Sequence, residues 1–188
     1  IRKTSDRSLI SGSLCVVLSL KRRRENYPHM KTIATIVGAR PQFIKVAPVS
    51  RALASTGRVR EVLIHTGQHY DRDMNDKLFE DLRLPKPDIN LEVGSGSHAV
   101  QTAEVMRRFE PVVDEKKPSC ILVVGDVNST LACTLVGVKK GIPVVHVEAG
   151  LRSYDRTMPE EINRVLTDQV ADRLYTTERS AAANLQNE

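Results

Sequence analysis

The 188-residue chain predicts an α/β fold, a Rossmann-like parallel sheet covered by helices on both faces. Three observations predict it. Short β-branched or fully apolar runs alternate with helical patterns, which is the signature of βαβ units. The runs Thr32–Val37 and Cys120–Val124 are apolar throughout rather than alternating, as strands buried on both faces are. Polar clusters follow the runs instead of interrupting them, which places the chemistry at the carboxyl ends of the strands.

Composition narrows the function classes. Apolar residues make up 40% and charged residues 27%, an ordinary globular balance, while aromatics at 4% leave little for stacking single-stranded nucleic acid. The formal charge of +5 is concentrated in residues 1–29, which hold seven basic and two acidic groups. Removing them leaves 21 of each sign from Met30 onward. Charge therefore predicts no nucleic-acid partner. Cys15, Cys120 and Cys133 are odd in number and widely spaced, with neither a metal pattern nor a disulfide framework. A reducing, cytoplasmic setting is the simplest expectation.

The chain begins with Ile rather than Met. Residues 1–29 read as an extension outside the domain, with the functional chain starting at Met30. The apolar run Leu9–Leu20 is too short to span a bilayer as a helix, and Lys21–Arg24 stands where a signal peptide would place small residues.

From Met30 the elements follow in order. Thr32–Val37 is a strand, ending in the turn Gly38-Ala39-Arg40-Pro41. Pro41 suits the first position of a helix, and Pro41–Ser55 is predicted helical, kinked or restarted at Pro48. Val59–Thr66 is a strand leading to the turn Gly67-Gln68-His69. Asp73–Leu82 reads as a helix and Ile89–Val93 as a short strand. Ser97 is an N-cap candidate for a long helix, His98–Lys117, that Pro111 should break or kink. Cys120–Val124 is a strand ending in Gly125-Asp126. Asn128–Lys139 is a helix, Pro143–Val147 a strand, and Pro159–Val170 a helix with Glu160 and Glu161 in its first turn, where carboxylates are stabilised. Leu174–Thr176 and Ser180–Gln186 begin a last strand and helix.

Four strand ends carry polar groups: Gly38-Ala39-Arg40, Thr66–His69, Gly125-Asp126 and His146–Arg152. Topology should bring them to one edge of the sheet. The first offers a helix N-terminus and a guanidinium, suited to a phosphate, with Lys45 five residues on. A plain strand-to-helix turn with a solvated Arg reads equally well. Neither G-x-G-x-x-G nor G-x-x-x-x-G-K-[ST] occurs, so nothing points to NAD or an NTPase. Asp126 is a candidate carboxylate, although an N-cap role for the next helix rivals it. For Glu148 a purely structural role is the weaker rival, since Val144–Val147 leaves it at the end of a buried strand. Two carboxylates in one dry cleft push their proton affinities apart, as an acid–base pair requires. His146 lies in an apolar run, where a satisfied core histidine is the commoner outcome.

The segments GARPQFIKVAP (Gly38–Pro48), TGQHYDRDM (Thr66–Met74), GDVNST (Gly125–Thr130) and HVEAGLRS with MPEEINR (His146–Arg164) resemble, in this order, the non-hydrolysing UDP-N-acetylglucosamine 2-epimerases. The resemblance implies the first of two Rossmann-like domains of a glycosyltransferase-B type fold, with the active site between them and the chain truncated before the second. It implies inversion at C2 of UDP-GlcNAc to UDP-ManNAc, through loss and re-addition of UDP across 2-acetamidoglucal, with no metal or other cofactor. By motif position it implies Asp126, Glu148 and Glu160 as catalytic carboxylates and Arg40, Lys45 and Arg164 as substrate-binding cations. It further implies Gln68 and His69 as contacts for a second, activating UDP-GlcNAc, and a homodimer at full length. Many members carry Thr and Glu where this chain has Ala39 and Gln42. The family's catalytic His and most uridine contacts lie in the second domain, so the 188 residues alone are expected to be inactive. A glycosyltransferase of the same fold, a hydrolysing epimerase and a non-catalytic nucleotide-sugar-binding domain are the alternatives.

Overall fold

A computed structural model describes residues 8–12, 15–19, 30–67, 79 and 81–188. Gln68, His69 and most of the helix expected at Asp73–Leu82 lie outside the described residues.

Among the described residues eight strands form one sheet. The two first, β1 (Ser8–Gly12) and β2 (Cys15–Ser19), pair with each other in antiparallel register. They belong to the stretch read as an extension, and β2 runs antiparallel along the last strand of the sheet. The others are β3 (Lys31–Val37), β4 (Val59–His65), β5 (Ile89–Asn90), β6 (Cys120–Val124), β7 (Val144–Val147) and β8 (Arg173–Tyr175). All pairings among β3–β8 are parallel. Across the sheet the order is β1-β2-β8-β7-β6-β3-β4-β5. Numbered from β3, the parallel strands read 3-2-1-4-5-6, the order of a dinucleotide-fold sheet. The order reverses between β3 and β6, and ligands bind such sheets in the crevice at that reversal.

Helices α1 (Arg40–Thr56), α2 (His98–Lys116), α3 (Asn128–Lys139), α4 (Pro159–Val170) and α5 (Arg179–Asn187) connect the strands or follow them. Two cores lie on opposite faces. Ile36, Ile64, Phe109, Ile121 and Val136 belong to one, while Phe43, Val46, Leu63 and Leu122 belong to the other. Gly137 lets α3 lie close on the sheet, since a Cβ there would stand 2.7 Å from Ile121 Cδ1 and 2.9 Å from Val144 Cγ2.

A restart at Pro48 and a break at Pro111 are both absent. Helix α1 runs through Pro48 and α2 through Pro111. A proline leaves the carbonyl four residues earlier without its partner. Here Ile44 and Pro48 are exposed, as are Arg107 and Pro111, so water can take up the freed carbonyls. Strand β5 is shorter than Ile89–Val93 because Glu92 adopts φ 52°, outside the β region. Ser97 caps α2 as expected, its side chain accepting the Val100 N–H.

Helix α4 is turned inside out. Its buried residues are Glu161, Asn163, Thr167 and Asp168, all polar. Its exposed face carries Ile162, Leu166 and Val170, with Met158 one turn earlier. The polar face serves the site described next.

Candidate active site

The β3–α1 turn is organised by a residue whose role sequence left open. Gln42, 2% exposed, accepts the Gly38 N–H at 2.6 Å and the Ala39 N–H at 3.0 Å. Its amide then donates across the strand-order reversal to the Val124 carbonyl at 2.7 Å and to Thr130 Oγ1 at 3.2 Å. The bond to Ala39 is the return half of a capping box. The Gly38 and Ala39 N–H groups are therefore satisfied within the turn itself. Arg40, at the start of α1, is exposed and makes no ion pair among the described residues.

One turn into α1, Lys45 forms an ion pair with Glu148, at the end of β7. Glu148 adopts φ 71°, a left-handed conformation that costs a non-glycine residue free energy and is concentrated at functional sites. It is fixed there by the Tyr175 carbonyl, which accepts both the Glu148 and the Ala149 N–H at 3.0 Å. Gly125 completes the contact. A Cβ at this glycine would stand 3.3 Å from Glu148 Oε2 and 3.9 Å from Lys45 Nζ.

Asp126 does not cap α3. The capping position is Val127, with no side-chain bond. The Asp126 carboxylate instead meets Arg164 of α4, Nη2 to Oδ2 at 2.8 Å. Burial pushes its pKa up. Arg164 and Lys45 oppose that rise, while Glu148 and Glu160 reinforce it. Those influences place five expected residues around one spot: Asp126, Glu148, Glu160, Lys45 and Arg164. Among the described residues Arg40 makes no ion pair with this cluster.

The two adjacent glutamates of α4 separate. Glu160 is half-buried on the Asp126 side, and its carbonyl accepts Arg164 Nε at 3.2 Å. Glu161 is only 2% exposed and accepts the N–H groups of Ser153 at 2.9 Å and Tyr154 at 3.0 Å. Burial alone would raise the Glu161 pKa, but the two N–H donors and nearby Arg164 outweigh it and hold the carboxyl below its usual range. Glu161 thus clamps the loop between β7 and α4.

Behind the carboxylates lies a polar network that the sequence reading did not identify. His146 is fully buried, with Nδ1 2.6 Å from Asp168 Oδ1 and Nε2 2.7 Å from the Gly125 carbonyl. Asp168 Oδ2 also accepts Arg152 at 2.7 Å and the Gly150 N–H at 2.9 Å. Burial would raise Asp168, but His146, Arg152 and the Gly150 N–H together hold it below its usual range. Asn163 donates to the Asp126 carbonyl at 2.9 Å. Polar residues at the buried spacing of α4 were the available signal for these partners.

Among the described residues, no cluster of three metal-ligating side chains occurs, and no helix is long and apolar enough to cross a membrane.

Residues 51–188 match the sequence profile described as UDP-N-acetylglucosamine 2-epimerase. The chain is 53% identical over 156 residues to a UDP-N-acetylglucosamine 2-epimerase homolog of Methanococcus maripaludis, covering 83% of this chain and 43% of that protein. It is 49% identical over 156 residues to a UDP-2,3-diacetamido-2,3-dideoxy-D-glucuronate 2-epimerase of Pseudomonas aeruginosa, covering 83% of this chain and 44% of that one. Among solved structures, the UDP-GlcNAc 2-epimerase of Methanocaldococcus jannaschii in complex with UDP-GlcNAc and UDP superposes with a TM-score of 0.80 at 46% identity. It shares 83% of this chain and 43% of its own length. The chain thus spans less than half the length of these relatives.

Proposed function

The chain belongs to the UDP-N-acetylglucosamine 2-epimerase family, and on that premise we propose that it forms the N-terminal wall of a non-hydrolysing epimerase that interconverts UDP-GlcNAc and UDP-ManNAc. The observation carrying this reading is the set of three carboxylates from three elements, Asp126, Glu148 and Glu160, interleaved with Lys45 and Arg164 at the strand-order reversal. Inversion at C2 needs such a set. The C2–H bond breaks to one carboxylate, a C1=C2 double bond forms, and the C1–O pair leaves with the pyrophosphate. The reverse step delivers a proton to the opposite face of C2 while UDP adds back at C1. Carboxylates with separated proton affinities supply both roles, and the raised pKa of Asp126 is the kind of separation required. Lys45, Arg164 and exposed Arg40 are the cations for a departing pyrophosphate. The residues that would enclose the nucleotide lie in a facing domain, so the 188 residues alone are expected to turn over little or nothing. No metal, nicotinamide or other cofactor enters this scheme.

The test uses a protein carrying this chain at its relatives' full length, with UDP-GlcNAc in deuterated water. Deuterium at C2 with UDP retained supports the reading. Free ManNAc and UDP mark a hydrolysing enzyme, and transfer to an acceptor marks a glycosyltransferase. Calorimetry on Glu148→Gln should retain binding while turnover is lost. Wild-type binding with no turnover would indicate a binding domain. A second substrate is warranted in the same assay, because the Pseudomonas relative is named for UDP-2,3-diacetamido-2,3-dideoxy-D-glucuronate. Preference for that compound would keep the chemistry and change the sugar.

Four further readings accompany it. The domain comprises residues 30–188, since β3–β8 complete the 3-2-1-4-5-6 order without β1 and β2. Gln68 and His69 contact an activating second UDP-GlcNAc, and the enzyme works in the cytoplasm. A homodimer forms through α4, whose exposed Met158, Ile162, Leu166 and Val170 recur every four residues as one stripe. A second copy of the same stripe is its natural partner in an isologous contact.

A further inference from the structure

Gly125 and Asp126 form the point at which strand β6 delivers its carboxylate to the site. Gly125 has φ 69°, so the chain turns sharply there, and the aim of Asp126 depends on how that turn is held. Three bonds hold it. The Gly125 N–H donates to the Val147 carbonyl at 3.0 Å, the Asp126 carbonyl accepts Asn163 at 2.9 Å, and the Gly125 carbonyl accepts His146 Nε2 at 2.7 Å. The last is fully buried. Its donor ring has a second acceptor, Asp168, at 2.6 Å on the other side. A carbonyl oxygen only accepts, so Nε2 is the nitrogen that donates to Gly125. Asp168, held as a carboxylate by Arg152 and the Gly150 N–H, is the group that makes this arrangement of the ring stable.

We propose that His146 is a positioning residue for the reaction, with its Nε2–H bond to the Gly125 carbonyl aiming the Asp126 carboxylate at Arg164 and the substrate. Asp168 fixes the ring in turn. This rests on the epimerase reading above. The ring has two separable jobs: Nδ1 partners buried Asp168, which is a matter of stability, and Nε2 orients Asp126, which is a matter of turnover.

Two substitutions divide those jobs. In His146→Gln the terminal amide can reach where Nε2 stood and keeps the donor to Gly125. In His146→Asn the shorter amide reaches toward Asp168 and abandons Gly125. In the full-length protein, kcat for UDP-GlcNAc epimerisation, KM and the melting temperature are measured for both. Carbon-13 NMR follows the Asp126 carboxyl titration. His146→Asn should lose about 100-fold in kcat, the scale of a reacting group displaced by about 1 Å, with little change in KM and a displaced Asp126 titration. His146→Gln should keep kcat within about tenfold and retain the Asp126 titration while melting lower. Turnover and stability thus rank the variants in opposite orders. If both quantities rank them alike, or the Asp126 titration is indifferent to either change, His146 is structural only and the proposal is overturned. A wild-type protein with no epimerisation but the expected titration pattern would overturn the epimerase reading and leave the positioning role standing.

Discussion

Replacing Glu161 by glutamine removes one oxygen and one charge from a side chain that is 2% exposed. The carboxylate now accepts Ser153 N–H at 2.9 Å and Tyr154 N–H at 3.0 Å, with Arg164 Nε at 3.5 Å. Glutamine can accept only one of the two N–H groups, and its own NH2 would face the other. A hydrogen bond to a charged group contributes about 1.5–3 kcal/mol, and an N–H orphaned in the interior adds to the loss, so ~3 kcal/mol of destabilisation is expected. Tyr154, held at φ 58°, should be released with it. For a domain of this size that is a fall in melting temperature of about 6–12 °C. The pH dependence gives an independent check. Glu161 titrates below its usual value of 4.5 in the folded protein. Its contribution is therefore fully present above 4.5 and is lost as pH falls through the lower folded value. Thermal unfolding followed by circular dichroism from pH 7 down to about 3 should show a shallower acid decline in Glu161→Gln than in the wild type. A melting-temperature change under about 2 °C at neutral pH, or an unaltered acid slope, would refute the assignment of Glu161 as the loop clamp.

Other expectations follow from the same geometry. Gly150→Ala puts a Cβ 2.4 Å from the Ala181 carbonyl oxygen at φ 83°, whereas Gly141→Ala at φ 69° meets nothing within 4 Å. Both should lose ~1–2 kcal/mol to the left-handed backbone, and urea unfolding should show a clearly larger loss for Gly150→Ala. By carbon-13 NMR, the Asp126 midpoint should lie above the usual 3.8, rise further in Arg164→Met and fall in Glu148→Gln, because these changes remove an opposing cation and a reinforcing anion. Leu166→Asp should shift a dimer to a monomer in analytical ultracentrifugation while leaving the melting profile of the protomer nearly intact, since Leu166 is 46% exposed.

Much of the fold could be read from pattern alone. Cys120–Val124, Asn128–Lys139 and Pro159–Val170 have the bounds that apolar runs, proline and charge placement indicate. What pattern missed was solvent and pairing. A proline reads as a helix break because sequence does not say whether water can reach the carbonyl it frees, and at Pro48 and Pro111 it can. The strand order reversing between β3 and β6 has no local signature, since register is decided by packing between distant runs. At the site, residue type and strand-end position nominated Asp126, Glu148 and Lys45, and the family motifs added Glu160 and Arg164. Position in the helix alone did not distinguish Glu160 from Glu161, because both suit a first turn, and Glu160 was singled out by the motif. The fold shows that the charge of Glu160 acts on Asp126 while Glu161 binds the backbone of residues 153 and 154. His146 was expected to be a satisfied core residue, and it is, but its partners Gly125 and Asp168 lie 21 and 22 residues away.

The Gln42 bridge bears on how the site responds to its surroundings. An amide donates and accepts at once without gaining or losing a proton. Gln42 uses both capacities, accepting from Gly38 and Ala39 while donating to Val124 and Thr130. A glutamate in the same place could donate to the Val124 carbonyl only when protonated, and the spacing between the first turn and the Asp126 strand would then follow acidity. With glutamine, that spacing is indifferent to pH.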